Sequence, residues 1–569
     1  MSSYVLEKSV ALRRANAPMV YLVTPRVAAG RARGATRMRT RKAFLAFGAV
    51  LGLYLVSGAW LALAQHFIVG DAWSRVGNAS YVLLSRDPHL AAIGFVWNPL
   101  PSLLALPFVA LRALWPSLVT EGFAGNILSA LFMAAAVREM WSILDEARVP
   151  RHASVALTAL FALHPVVVHY AADGDSEAAF IFLLLFGIRH LSRWLRRNDP
   201  VSLVTTALTL AVAYLVRYET AAAALSCVLL VAGVSFARSR GVPRDRIAPV
   251  FADAAVIGLP FAMAFTAWAA ASWLIVGSPF EQFAGIYGTA SQLAADHDNI
   301  FAGTGQGTPA AVVYALRQLT GLAPFLLPVG AIAAVLTVRR RDAAILAPLA
   351  MIGGVLVFAL WAWISGRTGG WFRYYITVVP LVTVLAGYAM RDIRLGAIVR
   401  NHIGRLRVLA AIGILSFVAV GLPSSAQTMI DPLLGRGEGD QADDLRRYLA
   451  GKEVAAYLDS RALPPGSVIV DVFLGFPIVL QSDNPRQFII TPDRDFRAVL
   501  SAPANFGARY LIVPPTSSGL GSLDAIGRQY PGVYETGGGI GRVVHEFEAP
   551  MPWLPGAQGF IWRLIELDD

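Results

Sequence analysis

Cysteine and charge are both scarce in this 569-residue chain. Its single cysteine, Cys227, lies inside an apolar run, which excludes a disulfide framework and a cysteine-based zinc site. Only 15% of the residues are charged, 56% are hydrophobic, and the mean hydropathy is +0.56. Soluble domains contain about 25% charged residues. The composition therefore indicates a membrane protein.

Familiar motifs of soluble enzymes are missing as well. The chain has no HExxH metal motif and no nucleophile elbow, and the glycine-rich stretch 303–307 follows no predicted strand, so we interpret it as a loop. The formal net charge of +11 would suit nucleic-acid binding in a soluble protein. Here the basic residues cluster in short loops between apolar runs, which is the pattern that orients membrane proteins. We therefore expect membrane lipids as partners and no nucleic acid.

Long apolar runs recur between residues 43 and 424, each long enough to cross a hydrocarbon core of about 30 Å. The run 99–115 is rich in proline, so we expect it to lie in the interface or to re-enter rather than span. About eleven crossings remain: 43–65, 119–137, 152–171, 176–193, 200–217, 219–236, 250–276, 318–338, 343–364, 373–390 and 405–424.

The basic clusters set the predicted orientation and domains. Residues 1–42 form a basic cytoplasmic tail, 43–424 a transmembrane domain, and 425–569 an extracytoplasmic α/β domain. The last assignment depends on strand-like runs at 467–472, 487–490, 509–513 and 560–565, spaced by helical stretches at 441–461 and 494–503. The predicted fold class is thus a polytopic α-helical membrane protein of the cell (plasma or inner) membrane with a C-terminal α/β domain.

Ionisable residues border the apolar runs at one predicted face of the membrane. Charge near hydrocarbon is costly and is retained mainly where it has a function. On the predicted topology, eight such residues fall on the extracytoplasmic side: Asp71, Asp173, Asp175, Glu177, Arg217, Glu219, Arg367 and Arg373. This pattern predicts a site for a charged, membrane-borne substrate.

The segment from Asp173 to Glu177 holds three acids in five residues at the turn between two predicted spans. Asp173 and Asp175, two apart, are candidate ligands of a divalent cation such as magnesium, manganese or calcium. Helix capping by Asp175 or Ser176, with Glu177 near the helix dipole, explains the same residues without a metal. Both interpretations stay open.

Two arginines stand at predicted helix ends on that same face, where positive charge is normally depleted. Arg217 lies in the short Tyr214–Glu219 junction, and Arg373 precedes Tyr374 at the start of another span. Guanidinium groups bind phosphate oxygens in a bidentate manner, which suits a phosphate ester at a membrane surface. The alternatives are interaction with lipid phosphates or pairing with Glu219.

These motifs resemble the GT-C superfamily of glycosyltransferases that use polyprenyl-phosphate sugars, closest to the aminoarabinose transferase and protein O-mannosyltransferase branch. Asp71 matches the family's acid early in a long first external loop. The stretches 97–101 and 164–177 and the Arg373–Leu381 segment are similar to further family segments. Ala72 departs from the Asp-Glu pair usual in mannosyltransferases, which argues against protein mannosylation.

The resemblance implies an inverting glycosyltransferase that moves a sugar from a polyprenyl phosphate to an envelope glycan, lipid or protein. Asp71 would be the catalytic base, and Arg373, with Arg217, would hold the phosphate. We expect the substrate-binding residues to be Arg75, Asp173, Glu177, Arg217, Glu219, Arg367, Arg373 and Tyr374. No soluble cofactor is implied.

Two other function classes are compatible with the composition. A lipid or glycan transporter or flippase would place ionisable residues or broken helices near the centre of the bilayer. The predicted helix centres, such as 51–53 and 182–185, are uncharged, which favours chemistry at the surface. A non-catalytic envelope assembly protein would use the α/β domain and would not need Asp71.

Overall fold

The computed structural model describes residues 45–239, 243–304, 307–391, 402–431, 433–434, 441–516, 519–548 and 561–568. The predicted tail 1–42 lies outside these residues. The helices of the apolar region are α1 Leu45–Ala64, α2 Gly70–Leu84, α3 Leu100–Val109, α4 Ser117–Thr120, α5 Phe123–Glu146, α6 Arg151–Ala162, α7 Pro165–Ala172, α8 Glu177–Arg197, α9 Pro200–Tyr214, α10 Thr220–Arg238, α11 Pro243–Val276, α12 Glu281–Ala284, α13 Thr289–Ala295, α14 His297–Phe301, α15 Gly307–Leu322, α16 Leu326–Arg340, α17 Leu346–Ile364, α18 Val378–Met390 and α19 His402–Ile430.

Within the described ranges, eight helices are long and apolar enough to cross a membrane, and ten spans result if two bent pairs count as one each. The bent pairs are α6–α7, broken at Pro165 with an angle of 55°, and α15–α16, broken next to Pro324 with an angle of 74°. Proline removes a helix hydrogen bond, which explains both breaks. Exposed apolar side chains such as Leu229, Met263 and Val357 lie along these helices, as expected for surfaces that face lipid. The chain is a multi-pass membrane protein.

Every predicted crossing corresponds to a helix or a bent pair. The crossing predicted at 200–217 is not among these ten spans. It corresponds to the 15-residue helix α9, which is shorter than they are. The segment 99–115 contains only the ten-residue helix α3, as expected for a segment that does not span. The last span, predicted to end at 424, continues through Pro423 to Ile430.

The C-terminal part is an α/β unit. Its helices are α20 Gln441–Ser460, α21 Val472–Gln481, α22 Phe496–Ser501, α23 Ala525–Gln529 and α24 Val533–Thr536, and its strands are β1 Val468–Val470, β2 Phe488–Ile490, β3 Tyr510–Val513, β4 Gly541–Glu548 and β5 Ile561–Leu567. The sheet order is β2-β1-β3-β5-β4; β1 pairs in parallel with β2 and β3, and β5 pairs antiparallel with β3 and β4. Four of the strands were predicted. Sequence reasoning missed β4, an edge strand in which only one of eight residues is buried.

Alternation along the strands buries both faces of the sheet. Ile469 and Leu511 pack on one side with α22 and α23. Val468 and Val470 face the other side, where the core is continuous with Trp73 of α2 and with neighbouring helices of the first long connection. Strand side chains point alternately to opposite faces, so a short apolar run fills two cores. The α/β unit is thereby fixed against the segment that carries Asp71.

Candidate active site

Asp71 lies in the first turn of α2, where a carboxylate interacts favourably with the helix dipole. The helix is held in place two residues later, because the Trp73 indole N–H donates to the carbonyl of Val119 at 2.9 Å and the ring packs against Phe476. Arg75 follows Asp71 by four residues and therefore shares its face of α2. The sequence indicated an external loop at this position, and the structure shows that Asp71 lies on a helix within that connection.

The acidic turn after α7 is fixed by a close contact with α5. Gly174 adopts φ +89°, and a Cβ atom on Gly125 would lie 3.0 Å from the Gly174 carbonyl oxygen. The Ser129 hydroxyl donates to the carbonyl of Asp175 at 2.8 Å, and the Asp175 N–H donates to Asp173 Oδ1 at 2.9 Å. Small residues on α5 thus allow the turn to hold the Asp175 carboxylate in one position.

Asp175 is the centre of a chain of alternating charges. Its Oδ1 accepts a hydrogen bond from Arg75, and its Oδ2 lies 3.5 Å from Arg373 Nη1. Arg373 Nη2 lies 2.7 Å from Asp71 Oδ2. The sequence Asp71–Arg373–Asp175–Arg75 therefore forms one continuous network, and Arg75 stacks on Trp97 at 4.5 Å from the ring centroid.

Arg217 forms a second group beside this network. Its Nη2 lies 2.6 Å from Glu219 Oε1, and its Nη1 donates to Glu177 Oε1. The Tyr374 ring lies 5.7 Å from the guanidinium carbon. Arg217 thus lies between two carboxylates, one at the start of α8 and one in its own junction before α10. The two groups are adjacent because Arg373 and Tyr374 are consecutive in the turn Phe372–Tyr374.

Burial and charge pairing act on the acids of the turn in opposite ways. Burial raises the pKa of the Asp173 carboxyl well above its usual range, and the neighbouring Asp175 adds to this. Burial would also raise the pKa of Asp175, but Arg75, Arg373 and Arg217 outweigh it and hold that pKa below the usual value. Asp175 is therefore the ionised partner of the arginines, whereas no arginine offsets the effect of burial on the pKa of Asp173.

Accessibility separates Asp71 and Arg373 from the rest of the network. The Asp71 side chain is 26% exposed and Arg373 is 16% exposed, whereas Asp175 is 3% exposed. Two cavities border the network. One small cavity is lined by Arg75 and Asp175, and another by Glu177, Arg217 and Arg373.

The structure thus brings together most of the predicted site residues: Asp71, Arg75, Asp173, Asp175, Glu177, Arg217, Glu219, Arg373 and Tyr374. Arg367 lies elsewhere: it is exposed and stacks over Trp361 at 5.4 Å. Its predicted role in substrate binding stays a prediction. Sequence reasoning missed Ser129 and Thr377, which line the two cavities, because a single hydroxyl residue in or directly before an apolar helix does not stand out.

The predicted divalent cation has a poor donor set here. Among the described residues, no group of three or more His, Cys, Asp or Glu is placed to hold a metal ion. Both oxygens of Asp175 already face guanidinium groups. The residues present do not fit a cation, so no chemical step is derived through one, and metal dependence stays a prediction.

No protein-family model and no curated protein matches the chain. Solved structures do: ArnT from Cupriavidus metallidurans bound to undecaprenyl phosphate is 14% identical with a TM-score of 0.51, and the match covers 93% of this chain and 98% of that one. The apo state of the same protein matches over the same shares at a TM-score of 0.49. The chain therefore has a fold like that of ArnT, which confirms at the level of the fold the resemblance predicted from the motifs.

Proposed function

We propose that this protein is an inverting glycosyltransferase that moves a sugar from a polyprenyl phosphate to an acceptor hydroxyl. The acceptor is an envelope glycan, lipid or protein, and on the predicted topology the reaction takes place at the extracytoplasmic face. The observation that carries the proposal is the direct contact between Asp71, the predicted base, and Arg373, the predicted phosphate ligand. The undecaprenyl phosphate bound to the ArnT of similar fold is consistent with such a donor lipid.

The reaction requires two groups on opposite sides of the sugar. Asp71 accepts the proton of the acceptor hydroxyl, whose oxygen forms a bond to the anomeric carbon. The bond from that carbon to the phosphate oxygen breaks on the opposite side, and the electron pair leaves with the polyprenyl phosphate. Arg373 stabilises the negative charge that develops on this leaving group. Attack opposite the leaving group inverts the anomeric configuration.

Exposure fits these two roles. A base must reach the incoming acceptor and a phosphate ligand must reach the donor, and Asp71 and Arg373 are the two most accessible charged side chains of the network. Asp175 and Arg75 are too buried to meet either substrate first. We assign them to positioning. Asp175 pairs with Arg373 and orients it, and Arg75 compensates the charge of Asp175.

The direct test is a transfer assay with the purified full-length chain. Polyprenyl phosphates that carry radiolabelled sugars are incubated with envelope acceptors, and the product is analysed for label and for anomeric configuration. The proposal expects label in the acceptor, release of polyprenyl phosphate, and an inverted linkage. A retained configuration would contradict the mechanism, and donor lipid that crosses the bilayer without transfer would support a flippase.

One observation favours the flippase as a second candidate. The breaks in α6–α7 and α15–α16 border a common small cavity, which is lined by His164 and Phe325. Broken helices with a polar residue at the break are common in transporters. Movement of a fluorescent polyprenyl phosphate across vesicles that contain the purified chain distinguishes this function from transfer.

A further inference from the structure

One face of α15 joins three parts of the chain that lie far apart in the sequence. Ala311, Tyr314 and Gln318 recur every three or four residues, so they lie on the same side of this helix. The indole N–H of Trp363, near the end of α17, donates to the carbonyl of Ala311 at 2.8 Å. The other two residues contact the loop before Arg373 and the chain that leaves α19.

Gln318 is fully buried and binds two backbone carbonyls. Its side-chain amide nitrogen donates to the carbonyl of Gly370 at 3.1 Å and to the carbonyl of Leu434 at 2.8 Å. One turn earlier, the Tyr314 hydroxyl donates to the carbonyl of Leu433 at 2.9 Å, and its oxygen lies 3.1 Å from the same amide nitrogen. Because a carbonyl oxygen can only accept hydrogen bonds, these contacts require a donor at this position. Gln318 therefore links two segments that are remote in the sequence.

The first of these segments is the Arg373 loop, which we define as residues 365–373. Gly370 adopts φ +65° in this loop, and a Cβ atom at this position would lie 2.5 Å from the Trp363 ring. The Trp363 ring and the Gln318 amide thus both restrict the backbone at Gly370. Arg373 follows three residues later and extends from this restricted backbone to the charge network. The place of its guanidinium group therefore depends on how the loop is held.

The second segment is the exit turn, which we define as Asp431, Leu433 and Leu434, after the end of α19. Oδ1 of Asp431 accepts the backbone N–H groups of both leucines at 2.8 Å, which restrains this turn. The chain then continues to α20, where the Tyr448 ring packs on Trp73 of α2 at 5.8 Å between ring centroids. The α/β unit thus contacts the helix of the proposed base, and the exit turn joins it to the membrane region.

We propose that Gln318 is a positioning residue that couples the placement of the α/β unit to that of Arg373. The α/β unit packs on the helix that carries Asp71, and through the exit turn and Gln318 it also restrains the Arg373 loop. One connected set of contacts then sets the spacing between the proposed base and the proposed phosphate ligand. Gln318 itself does not need to touch the substrate. This inference rests on the proposed function, which assigns Arg373 to the phosphate.

A buried amide can also serve stability alone, so the first measurement follows the Arg373 loop directly. Hydrogen–deuterium exchange of this loop is recorded in the purified full-length chain without ligand. Gln318→Leu removes the donor to both carbonyls and should raise exchange in the loop. Asp431→Ala loosens the exit turn and should raise exchange in the same loop, although the substituted residue belongs to the other segment of the link.

The second measurement is the affinity for undecaprenyl phosphate. Each of the two substitutions should weaken binding about 2–30-fold, the range typical of residues that act on a site through other residues. The double variant should bind no more weakly than the weaker-binding single variant, because both changes break the same link. Losses from independent sites would multiply instead.

Gln487→Leu is the matched control. Gln487 is equally buried, and its amide nitrogen donates to Asp459 Oδ1 at 2.7 Å and to the Ser482 hydroxyl oxygen at 3.0 Å within the α/β unit. This substitution should lower the melting temperature, as Gln318→Leu does. It should leave both the exchange of the Arg373 loop and the affinity for undecaprenyl phosphate unchanged.

The outcomes separate this inference from the proposed function. Faster exchange in Gln318→Leu but not in Asp431→Ala would make Gln318 a local packing residue and would overturn the coupling, as would unchanged exchange in both variants or multiplied losses of affinity in the double variant. If Gln318→Leu does not fold, Asp431→Ala decides the matter alone. A wild-type chain that does not bind undecaprenyl phosphate would contradict the proposed function, while the exchange data would still show whether the exit turn and the Arg373 loop are coupled.

Discussion

Asp71 and Arg373 contact each other at 2.7 Å, although one begins the second helix of the chain and the other precedes α18. A sugar that reacts between a base on one side and a phosphate ligand on the other cannot fit while this contact is closed. The donor must therefore separate the pair. A phosphate diester carries one negative charge, so it can replace the Asp71 carboxylate as the partner of Arg373. Donor binding would then free the Asp71 carboxylate from Arg373, so that it can accept the proton of the acceptor hydroxyl.

The first prediction concerns the base. Asp71→Asn keeps the shape of the side chain but cannot accept a proton, so transfer should fall about 10²–10⁴-fold, the usual contribution of general acid–base catalysis. Binding of undecaprenyl phosphate should persist or tighten, because Arg373 no longer has a charged partner on α2. Asp87→Asn is the control, since Asp87 pairs with the exposed Arg494 outside the network. Transfer by folded Asp71→Asn at the wild-type rate would contradict the mechanism and favour the non-catalytic assembly role.

Substitution of Arg373 should weaken lipid binding as well as transfer, in contrast to Asp71→Asn. Arg373→Ala removes the phosphate ligand, so affinity for undecaprenyl phosphate should fall about 10–100-fold and transfer should fall further. Arg373→Lys should restore only part of both, because lysine keeps the charge but lacks the planar fork of donors. Arg542→Ala, on the exposed edge strand, is the control. Normal lipid affinity in Arg373→Ala, measured by titration, would place the phosphate elsewhere.

Metal dependence can be decided by chelation. Because Asp175 is held by Arg75 and Arg373, we expect transfer to survive a strong chelator. Asp175→Asn should nevertheless lower both activity and melting temperature, since it leaves two arginines without a shared partner, and loss of a buried ion-pair partner costs about 3–5 kcal/mol. Activity that disappears with chelator and returns with magnesium would instead support the predicted cation site.

The predicted orientation can be tested with introduced cysteines. Cys227, the only native cysteine, is buried, so the background labelling should be low. A membrane-impermeant thiol reagent added to intact cells should label Ile430→Cys, at the exposed end of α19, and should not label Arg339→Cys. Labelling only at position 339 would invert the topology and place Asp71 in the cytoplasm. Permeabilised cells, in which both should react, are the control.

Asp493 should make the stability of the α/β unit depend on pH. Burial raises the pKa of its carboxyl to about 6 from 3.8, despite Arg86 nearby. The folded state then favours the protonated form, so this stabilisation is complete below about pH 4 and is lost as pH rises through 6. Asp493→Asn cannot ionise and should gain up to about 3 kcal/mol relative to wild type between pH 4 and 7. A difference in melting temperature that stays constant with pH would contradict this.

The spans and the sheet could largely be predicted from the sequence. Apolar length indicates a membrane helix with little help from tertiary contacts, and so each predicted crossing corresponds to a helix or a bent pair. The four apolar strands were predicted because short apolar runs are spaced by helical stretches in this part of the sequence. The edge strand β4 was missed, because its alternation includes charged residues and its burial depends on pairing with β5. The helix α2 was missed too, because its stability comes from contacts such as that of Trp73 with Phe476.

The sequence by itself determined the class of the protein, the approximate positions of the spans and the set of charged residues worth testing, because these depend on transfer of side chains between water and hydrocarbon along a local segment. Only the tertiary structure decided which charges meet. Arg367 and Arg373 were both predicted to bind substrate, yet of the two it is Arg373 that contacts Asp71 and Asp175. The ion pair between Arg217 and Glu177, which are 40 residues apart, likewise forms only in the folded chain. Pairing energy depends on distances of a few ångströms between remote segments, and no local pattern encodes those distances.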